Sequence, residues 1–268
     1  MGELTIIHAF LLGIIQGLTE FIPVSSTAHL LIGQQLLSIP ADDAMFSFLV
    51  IVQLGTIVSL IVFYWKDLLS LIQAFFAKPF STQENKLAWY IIIATIPALI
   101  AGYLLKDAVE TLFKQPMLEA SIRLLSAAIL LTLAESLTRK NRSLDSMTWL
   151  DALIVGLFQI IAVFPGASRS GSTISGGMFR GLDRPSAARF AFLMSVPVLL
   201  AAGGYQTLDV IKMPNLSQFL PLLAVGFVTA AIVGWFAIKW LIDYLSKHSL
   251  YVFAAYCAVI GLIVLIFK

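Results

Sequence analysis

Apolar residues run through this chain in long blocks, and the informative positions are the polar ones that interrupt them. From Leu4 to Leu37 an apolar stretch is broken at its centre by Glu20, Pro23, Ser25, Ser26, Thr27 and His29. That centre is too polar for one lipid-facing helix. The pattern predicts a helix, a break and a second helix, forming a re-entrant hairpin whose broken backbone must be surrounded by protein or a water-filled cavity. Asp42 and Asp43 mark an aqueous turn, and three blocks of about 20 residues, long enough to span a bilayer, follow: Met45 to Trp65, Ala88 to Leu105 and Leu118 to Thr138. The polar stretches between them, Lys66 to Leu87 and Lys106 to Met117, read as loops with amphipathic pieces. After Arg139-Lys140-Asn141-Arg142 the pattern starts again: Trp149 to Phe179 is a second broken hairpin, with its turn from Pro165 to Thr173. Three further spans follow, Ala187 to Tyr205, Phe219 to Trp240 and Leu250 to Phe267.

Each half is therefore one broken hairpin and three spans. Gly13-Ile14-Ile15-Gln16 leads to Pro23 and a serine cluster, as Gly156-Leu157-Phe158-Gln159 leads to Pro165 and another. An odd number of crossings per half inverts the second copy, so the two hairpins would enter from opposite faces and meet inside. The predicted fold is all-α: a polytopic membrane protein of six transmembrane helices plus two re-entrant hairpins. It forms one domain over residues 1–268, with repeats at about 1–140 and 148–268.

Composition agrees, with 59% hydrophobic and 12% charged residues in 268 and a mean hydropathy of +0.94, far more apolar than a soluble domain. A formal charge of +2 gives no argument for nucleic acid. Cys257, the single cysteine, excludes an internal disulfide and reads as a small buried hydrophobe. No removable signal peptide is expected. Of the 17 Lys and Arg, this layout puts Lys106, Lys114, Lys212 and Lys268 on one side, Arg123 and Arg169 within the membrane, and the remaining eleven on the other side. The basic-rich side is then expected to be cytoplasmic.

Chemistry concentrates at the two breaks. Phe164-Pro165-Gly166-Ala167-Ser168-Arg169-Ser170-Gly171-Ser172-Thr173 sets a fixed charge and several hydroxyls between apolar flanks. An Arg at membrane depth normally faces a cavity or a partner. Pro165 blocks helix continuation, so a turn opening into a new helix is expected, and a helix start beside a guanidinium is a receptor for phosphate. Gly166 to Gly171 nearly matches a nucleotide-binding P-loop, but Ser172 stands where lysine is required and no strand precedes it. In the other hairpin, Gln16 and Glu20 share a helical face at i and i+4. Ser26 could act as a nucleophile, with His29 to activate it or to donate to a leaving oxygen. Arg169, backbone N–H groups near Gly171 and the hydroxyls of Ser168, Ser170 and Thr173 would hold phosphate oxygens, beside the further hydroxyls of Ser25 and Thr27. Glu20, with the carbonyl of Gln16, could hold a divalent cation, magnesium or calcium. Glu119 and Arg123 read as an i, i+4 pair at the end of a span, and Glu135, Asp151 and Asp183 as acids near cationic loops with a supporting role at most.

These residues resemble the undecaprenyl-diphosphatases, also called bacitracin-resistance proteins. The family's signatures are Glu-or-Gln, three residues, then Glu, and Pro-Gly-x-Ser-Arg-Ser-x-x-Thr; they match Gln16 to Glu20 and Pro165 to Thr173, and Phe21 to His29 is similar as well. The resemblance covers essentially the whole chain. It departs from the common pattern at Gln16, where many members carry Glu, and at Ala28, where Gly is frequent. It implies a divalent-metal-dependent enzyme of the bacterial inner membrane, with its site opening to the external face and roles for Glu20, Ser26, His29 and Arg169. The substrate would be a polyprenyl diphosphate, undecaprenyl diphosphate, converted to the monophosphate carrier for cell-wall synthesis. Bacitracin would compete by binding that lipid, and a homodimer is left open. Attack by Ser26 and attack by a water activated by Glu20 or His29 fit the sequence equally. An inverted-repeat transporter or polyprenyl-phosphate flippase is the alternative, whereas a Ser-Gly-His lipid phosphatase finds no matching motif.

Overall fold

A computed structural model describes residues 4–105, 115–163, 167–212 and 216–267, and these are helical almost throughout, with no strand among them. The first hairpin is α1 (Ile6–Thr19) and α2 (Ser26–Leu36). It is followed by α3 (Asp43–Phe63), α4 (Trp65–Phe75), α5 (Gln83–Leu104) and α6 (Pro116–Leu137). The second hairpin is α7 (Trp149–Val163) and α8 (Arg169–Phe179), followed by α9 (Arg184–Ile211), α10 (Leu216–Lys247) and α11 (Tyr251–Phe267). Five helices, α3, α5, α6, α9 and α10, are long and apolar enough to cross a membrane. The 17 residues of α11 are at the short end of what spans one. The breaks fall where the polar residues predict them. Phe164, Pro165 and Gly166 of the second turn lie outside the described residues, as do Lys106, Lys114 and Lys268.

Boundaries move where local chemistry extends an element beyond its apolar block. Helix α5 begins at Gln83 rather than Ala88 because the Thr82 hydroxyl caps it, accepting from the Asn85 N–H. Asn85 is itself buried and donates its side-chain N–H to the Ala74 carbonyl at the end of α4. The stretch from Lys66 to Leu87, expected as a loop with amphipathic pieces, thus opens with the amphipathic helix α4, tied back onto the next span.

Charges orient the bundle. At one end, buried Asp151 accepts from Arg142 (2.7 Å) and Arg180 (2.6 Å). Glu135 joins Arg184, Lys140 (3.1 Å) and the Leu250 N–H (3.1 Å), while Arg189 meets Asp67 at 3.0 Å. These contacts bring the starts of α7, α9 and α11 and the end of α6 to one basic-rich end. Asp183 caps α9 by accepting from the Ser186 N–H. Glu135, Asp151 and Asp183 therefore tie loops together at that end, away from the hairpin tips.

Helix α7 starts at the basic end and α8 returns to it, so the second hairpin enters from there. The first hairpin enters from the opposite end. A Cβ on Gly13 would meet the Gly226 carbonyl at 2.8 Å, and one on Gly17 would meet the Gly234 nitrogen at 2.9 Å, so α1 runs parallel to α10. Since α10 ends at Lys247 near the basic end, α1 must begin at the far one. The packing is reciprocal: α1 lies chiefly on α10 of the second half, and α7 chiefly on α5 of the first. Small residues allow these close approaches. Gly17→Leu is expected to cost about 1–3 kcal/mol through overpacking, read as a lowered thermal midpoint in detergent. Gly102→Ala, where nothing lies within 4 Å of the added carbon, should leave the midpoint unchanged.

Candidate functional site

The two hairpin tips touch. Ser170 Oγ donates to the Ile22 carbonyl at 3.3 Å, and Arg169 Nη2 is in direct ionic contact with Glu20 Oε1. Around this contact is a cavity of about 190 Å³ lined by Glu20, Ser25, Ser26 and Thr27 from the first tip and by Ser168, Arg169 and Ser170 from the second. Gln53 of α3, Arg123 of α6 and Leu199 of α9 complete much of the wall. The Glu20 side chain is 2% exposed and that of Arg169 19%, so the carboxylate is enclosed and the guanidinium opens to the space. Arg123 lies about two helical turns from the Pro116 start of α6, so the cavity is nearer the bundle end opposite the basic cluster.

Local structure explains each placement. Glu20 follows the last turn of α1, its N–H still donating to the Gln16 carbonyl at 3.0 Å. Its Oε2 accepts from Ser26 Oγ at 2.6 Å and from Gln16 Nε2 at 2.8 Å. Between them, Ser25 adopts φ 68°, a left-handed conformation uncommon for a non-glycine residue. It caps α2, its hydroxyl accepting weakly from the Ala28 N–H (3.4 Å). The reversal at Ser25 brings Ser26 back over Glu20. In the second tip Ser168 caps α8 and accepts from the Gly171 N–H at 3.2 Å. As the first two helical residues, Arg169 and Ser170 present N–H groups that have no intrahelical partner.

Three expectations change. The Gly171 N–H is taken by the Ser168 cap, so the backbone donors of this helix start come from Arg169 and Ser170. Thr173 is buried outside the cavity lining, and its hydroxyl donates to the Arg169 carbonyl at 2.8 Å within the helix. Nor are the ring nitrogens of His29 directed to the Ser26 hydroxyl, which donates to Glu20. Its Nδ1 is 2.9 Å from the Ser25 carbonyl and its Nε2 2.8 Å from Tyr256 Oη. Because a carbonyl only accepts, Nδ1 carries the proton, and in the neutral ring Nε2 accepts from the tyrosine. The Tyr256 and His29 rings lie nearly parallel, with centroids 5.6 Å apart. The group at Ser26 is Glu20.

Among the described residues no cluster of three or more His, Cys, Asp or Glu could hold a metal ion. The donor set nevertheless has a hard-oxygen character. Gln16 is 1% exposed and its Oε1 is buried with no hydrogen-bond partner, on the amide that contacts Glu20. One carboxylate and one unsatisfied amide oxygen are the hard donors that magnesium or calcium takes; in this arrangement Gln16 meets Glu20 through its Nε2, and both Glu20 oxygens already accept hydrogen bonds.

Sequence reasoning missed Arg123 and Gln53 as cavity residues. A signal existed for Arg123: it is one of two arginines that charge counting leaves within the membrane, and such a residue faces a cavity or a partner.

Comparison with known proteins gives a consistent answer. The family model described as bacitracin resistance protein BacA matches residues 9–263. A protein of Chloroherpeton thalassium named undecaprenyl-diphosphatase is 41% identical, the alignment covering 97% of this chain and 95% of that protein. Proteins of the same name from Rubrobacter xylanophilus (40% identical, 94% of each chain) and Mycobacterium ulcerans (38%, 95% of this chain and 94% of the other) are similar to it over the same extent. With the family model spanning nearly the full length and relatives near two-fifths identity from end to end, this chain belongs to the BacA family of bacitracin resistance proteins.

Proposed function

We propose that the protein hydrolyses undecaprenyl diphosphate to undecaprenyl phosphate and inorganic phosphate, recycling the lipid carrier used in cell-wall synthesis. The observation that carries this reading is the Ser26–Glu20–Arg169 chain of contacts in one cavity between the hairpin tips. Near-full-length similarity to proteins named undecaprenyl-diphosphatase supports it.

In this account Arg169 grips non-bridging oxygens of the terminal phosphate, assisted by the first N–H groups of α8 and the hydroxyls of Ser25, Thr27, Ser168 and Ser170. A phosphate that engages Arg169 draws the cation away from Glu20, which raises the basicity of that carboxylate. Ser26 Oγ then attacks the terminal phosphorus while its proton passes to Glu20 Oε2, the atom it already contacts. The bond from that phosphorus to the bridging oxygen breaks, and the electron pair leaves with the lipid phosphate. Glu20 gives the proton it took from Ser26 to the departing lipid phosphate, and water then attacks the resulting phosphoserine, giving a proton to the regenerated Glu20 carboxylate. The bond to Ser26 Oγ breaks, a proton returns to that oxygen, and inorganic phosphate departs. The Ser26–Glu20 contact favours the serine over direct attack by water. His29 acts as a positioning residue, holding the Ser25 carbonyl through both its backbone N–H (3.3 Å) and its ring.

Glu20 and Gln16 Oε1 would hold a divalent cation that neutralises charge on the phosphate oxygens. Strong chelation is expected to suppress phosphate release, and added magnesium or calcium to restore it. Undiminished release in chelator would remove the cation from this account.

The site is proposed to serve in the bacterial inner membrane. The basic-rich end faces the cytoplasm and the cavity, nearer the other end, opens to the external face. The two halves form an inverted repeat, about 1–140 and 148–268. Bacitracin competes by sequestering the lipid diphosphate. Purified protein in detergent, with no transmembrane gradient, is expected to release inorganic phosphate from a polyprenyl diphosphate. A transporter of this architecture would release none.

A further inference from the structure

Resting on that reading, the geometry points to Arg123 as the residue that grips the second, lipid-linked phosphate and stabilises its charge as it leaves. Arg123 belongs to neither signature. It sits on α6, is 7% exposed, and lines the same cavity as Glu20, Ser26 and Arg169. Its Nε donates to Glu119 Oε1 at 2.6 Å, and its Nη1 to the Ala167 carbonyl at 3.2 Å, immediately before the cap of α8. Glu119 therefore holds the guanidinium from one side and the second tip from another, with the cavity beside it.

Charge explains why a second guanidinium is needed. A lipid diphosphate brings anionic oxygens on two phosphorus atoms, and the group of Ser26, Glu20 and Arg169 addresses only the terminal one. When the bridging bond breaks, negative charge builds on the oxygens of the inner phosphate. Held in place by Glu119 and the Ala167 carbonyl, a fixed cation there stabilises the transition state more than the ground state. Arg suits the position because its planar fork can contact phosphate while keeping a carboxylate partner. Glu119 limits the cost of burying the charge when no ligand is bound. The consequence is selectivity: a diphosphate engages both arginines and a monophosphate only one.

The test compares two ligands with the same tail, farnesyl methylenediphosphonate, which cannot be hydrolysed at its P–C–P link, and farnesyl phosphate. Dissociation constants are measured by calorimetry in detergent. The wild type is expected to prefer the diphosphonate. The neutral pair Glu119→Gln/Arg123→Gln should shrink that preference about tenfold, the equivalent of one charge-assisted contact, mainly by weakening the diphosphonate. If Arg123 only braces Ala167, both ligands weaken in proportion and the preference survives, which overturns the assignment. No preference in the wild type overturns it as well. Should the double variant fail to fold, Arg123→Lys is measured instead, with a smaller loss of preference, about threefold, expected for a point charge in place of a fork. An unchanged preference there also overturns it. Phosphate release from farnesyl diphosphate by the wild type is recorded in parallel. Its absence would sink the hydrolase reading, whereas release with an Arg123-independent preference would sink only this one.

Discussion

Arg169→Lys is expected to lower phosphate release from a polyprenyl diphosphate by about 100-fold in kcat/KM, or about 2.7 kcal/mol at 1.36 kcal/mol per tenfold. Lysine keeps the charge but offers one point of contact in place of a planar fork, and it cannot reproduce the exchange of Glu20 for phosphate oxygens along one rigid guanidinium edge. Arg169→Ala should be worse, because it leaves the enclosed Glu20 carboxylate without its cation. Size-exclusion profiles of the variants in detergent separate this loss from misfolding. Near-normal turnover by folded Arg169→Lys would mean that the guanidinium does not clamp phosphate.

The second large effect is at the other tip. Ser26→Ala is expected to reduce turnover by about 10³-fold or more, as loss of a nucleophile does, and Glu20→Gln by about 10²- to 10⁴-fold, as loss of a general base does. The glutamine retains nearly the same shape but can accept from Ser26 only by turning its amide N–H toward Arg169, so its defect reports loss of the carboxylate's basicity and charge together rather than packing. A Ser26→Ala variant within about tenfold of wild type, the scale of one lost hydrogen bond, would transfer the attack to water and leave Glu20 as the base for that water.

Much of this site is legible in the sequence because the bilayer makes polar interruptions expensive. Glu20, Pro23 and Ser25–Thr27 in one apolar block, and Ser168–Arg169–Ser170 in another, can only be breaks lined by protein or water. Counting crossings predicts hairpins that enter from opposite ends, and the ion pairs of Arg142, Arg180, Arg184 and Arg189 gather at one end. What the sequence conceals depends on non-local packing. Arg123 has a perfectly good local partner at i−4, and only the docking of α6 against α8 and α2 carries it to the cavity wall. Tyr256 meets His29 across 227 positions of chain. Thr173 is the opposite case: within a helix its hydroxyl is satisfied four residues back, whatever the motif around it. Gly171 likewise lost its donor to the cap at Ser168.

The central claim is that Glu20 and Arg169, 149 positions apart in sequence, work as one unit on one phosphate. Measuring kcat/KM for phosphate release by Glu20→Gln, Arg169→Lys and the double variant tests it most directly. Residues that act together are strongly non-additive. The double variant is expected to be little worse than the poorer single one. A double variant whose defect equals the product of the two single defects would place the residues in independent roles and contradict the account.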